Sequence, residues 1–250
     1  GRKSSNPYIQ TITEEGSGNK LTILDSLKHF KNGDRLSIEA VLDLNSLDDD
    51  SKQLLSAYQN KITAKRKIVG LMKIAVYNGN DERDLEELQK GYKLLINDDG
   101  SSIAAFNKPY IARITDPTVI GLEDGILLEY SADEGGIPAL LNNTGIYLLI
   151  DDTSVIYKFS DETKNQTYNL ITDDTLTFKV NADKDKFLKL YIDKQEVDRK
   201  YYDVRSGSTI ITLKKDFLKN LSVGTHTVYV DFSDGYASGS FKVVSQNETN

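Results

Sequence analysis

The chain has 250 residues, of which 38% are hydrophobic and 28% charged, and its formal net charge is −7. This length allows two domains of ordinary size, and the content of Ile, Leu, Val and Tyr excludes global disorder. The acidic excess lies in residues 1–155 and argues against non-specific nucleic-acid binding, which needs a basic field. The absence of cysteine excludes disulfides, thiol chemistry and cysteine-ligated zinc. No run of about 18 apolar residues is present to span a membrane.

The first 18 residues are rich in Ser, Gly, Asn and Glu. This composition predicts a flexible leader over residues 1–18. The sequence begins with Gly1 rather than methionine, and from this we expect that a signal peptide has been cut from the precursor.

The following segment alternates short apolar runs with turns and contains one helix. After a short strand at residues 21–24, the run LSIEAVLDL at 36–44 alternates in hydropathy as a strand does. Three aspartates at 48–50 supply N-cap chemistry for a helix over residues 48–66, whose apolar face is Leu54, Leu55, Tyr58 and Ile62. Further strands are predicted at residues 69–76, 92–96, 110–114, 126–130 and 146–150.

A polar segment at residues 158–175 separates this region from a second set of strand patterns. We therefore predict a domain boundary near Asp161, with a first domain at 19–160 and a second at 161–250. In the second domain, strands are predicted at residues 176–180, 187–192, 210–213, 227–232 and 241–244. Strands this short, spaced about 8 to 12 residues apart, are typical of an antiparallel sandwich.

The last third of the chain carries a recognisable pattern. It reads YYDV at 201–204, STIITL at 208–213 and DFLKNLSVGTHTVYVDFSDG at 216–235. This pattern resembles that of the immunoglobulin-like X2 modules of bacterial surface and polysaccharide-degrading proteins, although Tyr202 precedes Asp203 where that family usually has Asp before Tyr. Such modules are ancillary, so the resemblance implies a binding, spacing or structural role and supplies no catalytic residues.

The predicted helix is followed by IVGLMKIAVYNGNDERDLEELQKGYKLLIN at 68–97, KPYIARITD at 108–116 and TGIYLLID at 144–151. With these segments, residues 35–152 resemble an immunoglobulin-like unit of secreted and wall-attached proteins of Gram-positive bacteria. In that unit a helical insert precedes four segments whose places are occupied here by residues 71–76, 85–96, 110–114 and 145–150. The proline-rich middle of that pattern is missing. Together the two resemblances predict a mainly β protein of two tandem immunoglobulin-like β-sandwich modules, the first with a helical insert, in a secreted or cell-surface protein.

Residues suited to catalysis are sparse. His29 and His226 lie outside any motif, and alternation in THTVYVDF predicts a half-exposed, structural His226. A serine or cysteine triad is not predicted, since the chain has no Cys, no G-x-S-x-G elbow and no Ser with a flanking motif. Acidic runs at 48–50, 98–99 and 173–174 fall at turns or a helix start, where solvated caps account for them. A glycosidase-type carboxylate pair stays open, because its geometry is invisible in sequence.

Two other kinds of site remain open. Asp43, Asn45, Asp48 and Asp50 have near-loop spacing for calcium. They lack the Gly and the closing Glu of an EF-hand, which leaves a loop-built site as the alternative. A Lys-to-Asn cross-link is a second alternative, with Lys20, Lys73 and Asn142 as its candidate members. No cofactor is predicted.

Ligand binding by aromatic stacking depends on tyrosine here, because the chain has no tryptophan. Tyr201, Tyr202 and Tyr236 flank predicted turns and are the candidate ligand-binding residues. The alternative is that they pack across strands, as most strand tyrosines do.

These observations predict a non-catalytic, monomeric module of a secreted or cell-surface bacterial protein. It would act as a spacer or an adhesion segment for a protein or glycan partner. Two alternatives from other classes stay open: a carbohydrate-binding module with an exposed line of tyrosines, and a hydrolase with two carboxylates in a cleft.

Overall fold

The computed structural model describes residues 10–62, 65–85, 91–118 and 120–247. The chain divides into two compact units, Gly1–Asp152 and Thr153–Asn250. Within the described ranges, neither α-helix has the length and apolarity of a membrane crossing.

The first unit contains most of the strands and the longer helix. Its described strands are β1 (Thr11–Thr13), β2 (Lys20–Ile23), β3 (Asp34–Val41), β4 (Arg66–Asn78), β5 (Asp81–Glu82), β6 (Tyr92–Ile96), β7 (Pro109–Asp116), β8 (Gly121–Leu122), β9 (Ile126–Leu127), β10 (Ile137–Leu141) and β11 (Gly145–Asp152). Its helical segments are the 3-10 turns Leu44–Ser46 and Ser101–Ile103 and helix α1 (Asp49–Lys61).

Two antiparallel sheets form the sandwich of this unit. One has the strand order β1-β2-β6-β10, and the other has the order β3-β4-β11-β7-β8 with β5 beside β4 and β9 beside β7. Leu21 and Leu94 of the first sheet share a buried core with Ile74, Ile111 and Tyr147 of the second. The alternating apolar residues of the strands therefore meet between the two sheets.

Helix α1 covers the other face of the larger sheet. Its side chains Leu55 and Tyr58 form a separate buried cluster with Ile68, Leu148 and Ile150. Strand β11 is consequently buried on both faces, and its sequence reads as a continuous apolar run rather than an alternating one.

The helix and the leader of this unit differ from their predictions. Helix α1 ends at Lys61 rather than at residue 66, because Ile62 is already extended, with φ −80° and ψ 158°. Residues 63 and 64 lie outside the described residues. Part of the predicted leader is also ordered, since β1 pairs with β2 and the Glu14 carboxylate accepts a hydrogen bond from the Ile38 N–H at 2.6 Å. Residues 1–9 of that leader lie outside the described residues.

The second unit is built almost entirely of strands. They are β12 (Val155–Ile156), β13 (Thr167–Asn169), β14 (Leu176–Val180), β15 (Phe187–Ile192), β16 (Gln195–Glu196), β17 (Tyr202–Ser206), β18 (Thr209–Leu213), β19 (Gly224–Phe232) and β20 (Gly235–Val244). The helical segments are the 3-10 turns Lys184–Lys186 and Arg199–Tyr201 and the single-turn helix α2 (Lys215–Leu218).

Sheet order in the second unit is that of an immunoglobulin domain. The smaller sheet is β14-β18-β17, and the larger is β12-β20-β19-β15-β16 with β13 also paired to β20. When β12 and β13 are taken as strand A of the immunoglobulin fold, β14, β18 and β17 occupy positions B, E and D in one sheet. Strands β16, β15, β19 and β20 then occupy positions C′, C, F and G in the other sheet. The predicted fold class is confirmed as mainly β, with two tandem β-sandwiches and a helix inserted in the first.

The sequence predicted the domain boundary near Asp161, and the second compact unit begins eight residues earlier, at Thr153. Val155 and Ile156 pair in parallel with Gly235 and Tyr236 of β20. Phe159 packs against the second core and bridges to Val180. The boundary was predicted near Asp161 because the segment at 158–175 is polar, but the residues before it already belong to the second unit.

Candidate functional site: a tyrosine face on the second sandwich

The three predicted ligand-binding tyrosines occupy different surroundings. Tyr202 is 3% exposed in the core of the second unit, where its ring meets that of Phe187 at 6.0 Å. Tyr201 is half-buried and packs against Phe217 at 5.6 Å. Tyr236 lies on β20, in the other sheet. Burial leaves Tyr202 no ring face for stacking, so the three residues do not form one surface.

Tyr236 instead belongs to a line of aromatic rings on the outer face of the larger sheet. We call Tyr191, Tyr229 and Tyr236, on β15, β19 and β20, the tyrosine ladder. The Tyr229 and Tyr236 rings stack with centroids 5.2 Å apart at 17°. The Tyr191 and Tyr229 rings meet edge to face at 5.9 Å and 74°, and these two residues are direct cross-strand partners. The ladder thus crosses three adjacent strands.

Strand alternation places these side chains on the surface. Leu190 and Ile192 flank Tyr191 and are buried, and Val228 and Val230 do the same for Tyr229. The sequence analysis missed Tyr191 and Tyr229. The alternation of apolar and polar residues in KLYI and TVYVDF indicates that both tyrosines point outward. It does not show that they lie opposite each other, because strand register depends on tertiary structure.

The ladder has an apolar edge and a charged edge. Ile156, the partner of Tyr236 on β12, is 63% exposed. Beyond Tyr191, Lys189 and Glu196 form an ion pair at 3.6 Å. Stacking covers one ring face of Tyr236 and one of Tyr229, and the Tyr229 ring also meets Tyr191. The second face of Tyr236 is therefore in contact with neither of the other two rings. Such a surface suits binding by contact.

The predicted acidic sites in the first unit act as caps. The Asp48 carboxylate accepts the Ser51 N–H at 2.7 Å at the start of α1, and this hydrogen bond lowers the pKa of Asp48. Asp43 caps the preceding 3-10 turn by accepting the Asn45 N–H at 3.1 Å. In the part of the chain that the structure describes, no three His, Asp or Glu side chains are grouped as metal ligands.

The other acidic runs close turns in the same way. Asp98 accepts the Gly100 N–H at 2.7 Å, and Asp99 accepts the Ser101 N–H at 2.9 Å. Hydrogen bonding to the Ser101 side chain, and then to its backbone N–H, lowers the pKa of Asp99. Asp173 accepts the Asn169 N–H at 2.7 Å. These carboxylates are accounted for by local backbone geometry.

The predicted cross-link residues do not share a buried site. Lys73 on β4 donates to the Glu82 carboxylate at 3.2 Å, and the Glu82 side chain is 48% exposed. Lys20 is exposed on β2. The acid that the described residues place beside Lys73 is therefore an exposed one, whereas the predicted cross-link calls for a buried acid.

His226 is buried, which corrects the prediction of a half-exposed side chain. It is 5% exposed, while Thr225 and Thr227 beside it point outward. Its Nδ1 lies 2.5 Å from the Asp193 carboxylate and its Nε2 lies 2.6 Å from the Ser222 carbonyl oxygen. Both partners are acceptors, so the arrangement is complete when both ring nitrogens carry protons. With both nitrogens engaged, this histidine joins three segments of chain.

No protein-family model and no curated protein sequence matches this chain. Among solved structures, it is similar to a tri-modular GH5 endo-β-1,4-glucanase from Bacillus licheniformis, with 11% identity and a TM-score of 0.28 over 65% of this chain and 36% of that one. SGBP-B of a Bacteroides ovatus mixed-linkage glucan utilization locus aligns at 14% identity with a TM-score of 0.26, over 86% of this chain and 61% of that chain. The titin I9–I11 tandem aligns at 9% identity with a TM-score of 0.27, over 94% of both chains.

The chain thus spans about a third of the glucanase and about three fifths of SGBP-B. At these identities and TM-scores the similarities carry no argument about function.

Proposed function

We propose that this chain is a non-catalytic binding or spacing segment of a secreted or cell-surface bacterial protein, which meets a protein or glycan partner through the tyrosine ladder. The observation that carries the proposal is the ladder itself, three tyrosines side by side on an outer sheet face. Tyrosine rings combine apolar area with a polar hydroxyl at low conformational cost, which suits them to recognition surfaces. The resemblance to X2 modules and to Gram-positive wall proteins is part of the proposal.

A non-enzymatic role is supported by what the ionisable residues do. The acidic runs singled out in the sequence cap helices and turns. His226 has both ring nitrogens hydrogen-bonded within its own sandwich. Each of these groups therefore has a structural task that explains its presence.

Carbohydrate binding is the second candidate, and one observation favours it. Tyr236 has a ring face not covered by Tyr229, and the exposed Ile156 lies beside it on the neighbouring strand. An apolar strip of this kind can pack against the C–H face of a sugar ring, while tyrosine hydroxyls meet its polar rim.

The test is retention on a glycan array, on insoluble polysaccharides and on an array of bacterial-surface and serum proteins. The intact chain is compared with Tyr236→Ala and Tyr191→Ala, and Tyr201→Ala, in the 3-10 turn before β17 and outside the ladder, is the matched control. We expect ladder variants to lose about tenfold or more in affinity, since an anchoring aromatic contributes roughly 1–3 kcal/mol to an interface. The control should bind as the intact chain does.

Each result has a distinct meaning. Retention on a glycan that depends on the ladder selects the carbohydrate-binding candidate, and ladder-dependent retention on a protein selects adhesion. Binding that is equally strong in all three variants would contradict the ladder as the contact surface.

A further inference from the structure

The edge of the larger sheet in the second unit is interrupted. Strand β12 pairs with β20 at Gly235 and Tyr236, and β13 pairs with it at residues 242–244. Between these short parallel strands, no strand of the described residues pairs with residues 237–241 of β20 on this side. We call this stretch the edge gap.

Within the described part of the chain, the edge gap presents backbone groups that no neighbouring strand pairs with. The Tyr236 carbonyl accepts from the Tyr157 N–H at 2.8 Å, and the Lys242 N–H donates to the Gln166 carbonyl at 2.9 Å, so both groups point to this edge. Because strand residues alternate in the direction of their backbone groups, Ser238 and Ser240 direct their N–H and C=O toward the same edge. Two donors and two acceptors therefore line the gap beside two serine hydroxyls.

A pocket of about 420 Å³ lies in the edge gap. Its apolar wall is formed by Phe159, Phe178 and Val228. Polar residues of the preceding loop line its rim: Lys158, Asp161, Thr163, Lys164 and Asn165. Phe159 can lie close to β20 because residue 239 is glycine: a Cβ there would be 3.0 Å from the Phe159 ring. This volume falls within the range of about 300–1,000 Å³ found for small-molecule sites.

The loop that forms the rim is held in place before any ligand binds. Thr163 Oγ1 lies 2.8 Å from Ser160 Oγ and accepts the Lys179 N–H at 3.1 Å. The Gln166 side-chain amide donates to the carbonyls of Thr163 and Thr177 at 2.9 and 2.8 Å. A pre-formed rim lowers the entropy lost on binding.

The shape of the edge gap favours a compact ligand over an added strand. An extended peptide needs about 3.3 Å per residue along its partner strand. Here β12 and β13 pair with β20 on the same side, one at either end of residues 237–241. At that spacing, residues 237 and 241 are only about 13 Å apart along the strand. A peptide would have to leave β20 after a few residues at both ends.

The chemistry of the pocket favours a neutral, polyhydroxylated ligand. Sugar hydroxyls donate and accept in several directions, which matches the mixed donors and acceptors of Ser238 and Ser240. The Phe159 ring offers an apolar wall for a C–H face. Among the charges of the rim, Asp161 and Lys164 form an ion pair at 2.8 Å, which reduces the net field on a ligand.

We propose that the edge gap binds a single sugar unit of a glycan, either a chain end or a side branch. The inference rests on the proposed binding function and names its ligand class. Ser238 and Ser240 supply backbone and hydroxyl hydrogen bonds, Phe159 supplies the apolar wall, and Asn165 supplies an amide at the rim.

The experiment is titration of the intact chain with cello-, xylo-, manno- and chito-tetraose, followed by calorimetry and by the amide NMR signals of β20. The pentapeptide Ac-TVTVT-NH2 is the comparison probe. Ser240→Tyr fills the pocket. Asn165→Gly removes the rim amide, and glycine tolerates the φ of +53° found there. Thr225→Tyr is the matched control, since it adds the same ring at an exposed β19 position outside the pocket.

We expect one tetrasaccharide to shift the Ser238 and Ser240 amides. Ser240→Tyr should then weaken its affinity by at least about tenfold, with a smaller loss in Asn165→Gly and none in the control. Glycan binding that survives Ser240→Tyr would overturn the edge-gap site while leaving the proposed function standing. If only the peptide shifts these amide signals, the edge gap binds an extended peptide strand and not a sugar. If the intact chain binds none of the glycans, both the edge-gap inference and the carbohydrate-binding candidate are wrong.

Discussion

At the scale of single residues, His226 makes the stability of the second sandwich depend on pH. Burial opposes its protonation, but the hydrogen bonds to the Asp193 carboxylate and the Ser222 carbonyl outweigh burial and raise the pKa of His226 above its ordinary value of 6.5. A raised folded pKa contributes stability that is fully present below the unfolded pKa. We therefore expect the free energy of unfolding to fall as pH rises from about 6.5 through the folded pKa.

Urea unfolding of the second unit at several pH values between 5 and 9 checks this prediction, with the His226 ring protons titrated by NMR in parallel. His226→Gln is the comparison variant, because it keeps hydrogen-bonding capacity without a titration in this range. Its stability should stay flat where that of the intact chain declines. Parallel profiles for the two proteins would show that the ring stays in one protonation state throughout.

The tyrosine ladder shows why single-residue reasoning from sequence reached only part of the site. Alternation identifies Tyr191, Tyr229 and Tyr236 as outward-facing, yet an outward tyrosine in isolation is indistinguishable from ordinary cross-strand packing. Tyr202 was singled out because it borders a turn, but its side chain points inward to the core. The register that decides between these cases is fixed by contacts distant in sequence.

At the scale of elements, helix α1 stabilises the first unit by covering the outer face of its larger sheet. Leu55 is 7% exposed and packs with Ile68, Leu148 and Ile150. Truncation by Leu55→Ala removes buried methyl groups and leaves a cavity, which typically costs about 2–4 kcal/mol. We expect the amides of β4 and β11 to exchange with solvent correspondingly faster in this variant.

Hydrogen exchange read by mass spectrometry measures this effect within one molecule. Amides of the second unit serve as the internal standard and should keep their exchange rates. Gln53→Ala, exposed on the same helix, is the matched control and should change stability by less than about 0.5 kcal/mol. Equal protection of β4 in both variants would mean that α1 contributes little to the sheet.

The strands that sequence patterns predicted are those with a clear apolar period and nearby turn residues. Strands β6, β14 and β15 have the predicted bounds. Strand β10 was not predicted, and its Pro138 is a residue that argues against a strand. The sheet tolerates this proline because β10 is an edge strand. Strands β12 and β13 are too short to show a period, and their parallel pairing with β20 depends on the closed sandwich.

At the scale of the whole molecule, each unit has a core made of its own residues. The buried cluster of the second unit runs from Tyr168 to Val243, and the clusters of the first unit end at Ile150. A chain of this size with its own core is expected to fold alone. We therefore predict that residues 153–250, produced separately, fold to the same sandwich and retain the pH profile set by His226.

The same fragment tests where the second domain begins. A shorter fragment, residues 161–250, follows the boundary drawn from composition and lacks Tyr157 and Phe159. In the structure the Tyr157 hydroxyl donates to the Asp234 carboxylate at 2.9 Å and its ring contacts Phe232 at 5.1 Å, while Phe159 packs on Phe178 at 5.7 Å. Removing two partly buried aromatic side chains should cost roughly 3 kcal/mol or more. The urea midpoints of the two fragments measure this difference in unfolding free energy. Equal midpoints would place the domain boundary at Asp161 and make residues 153–160 a linker.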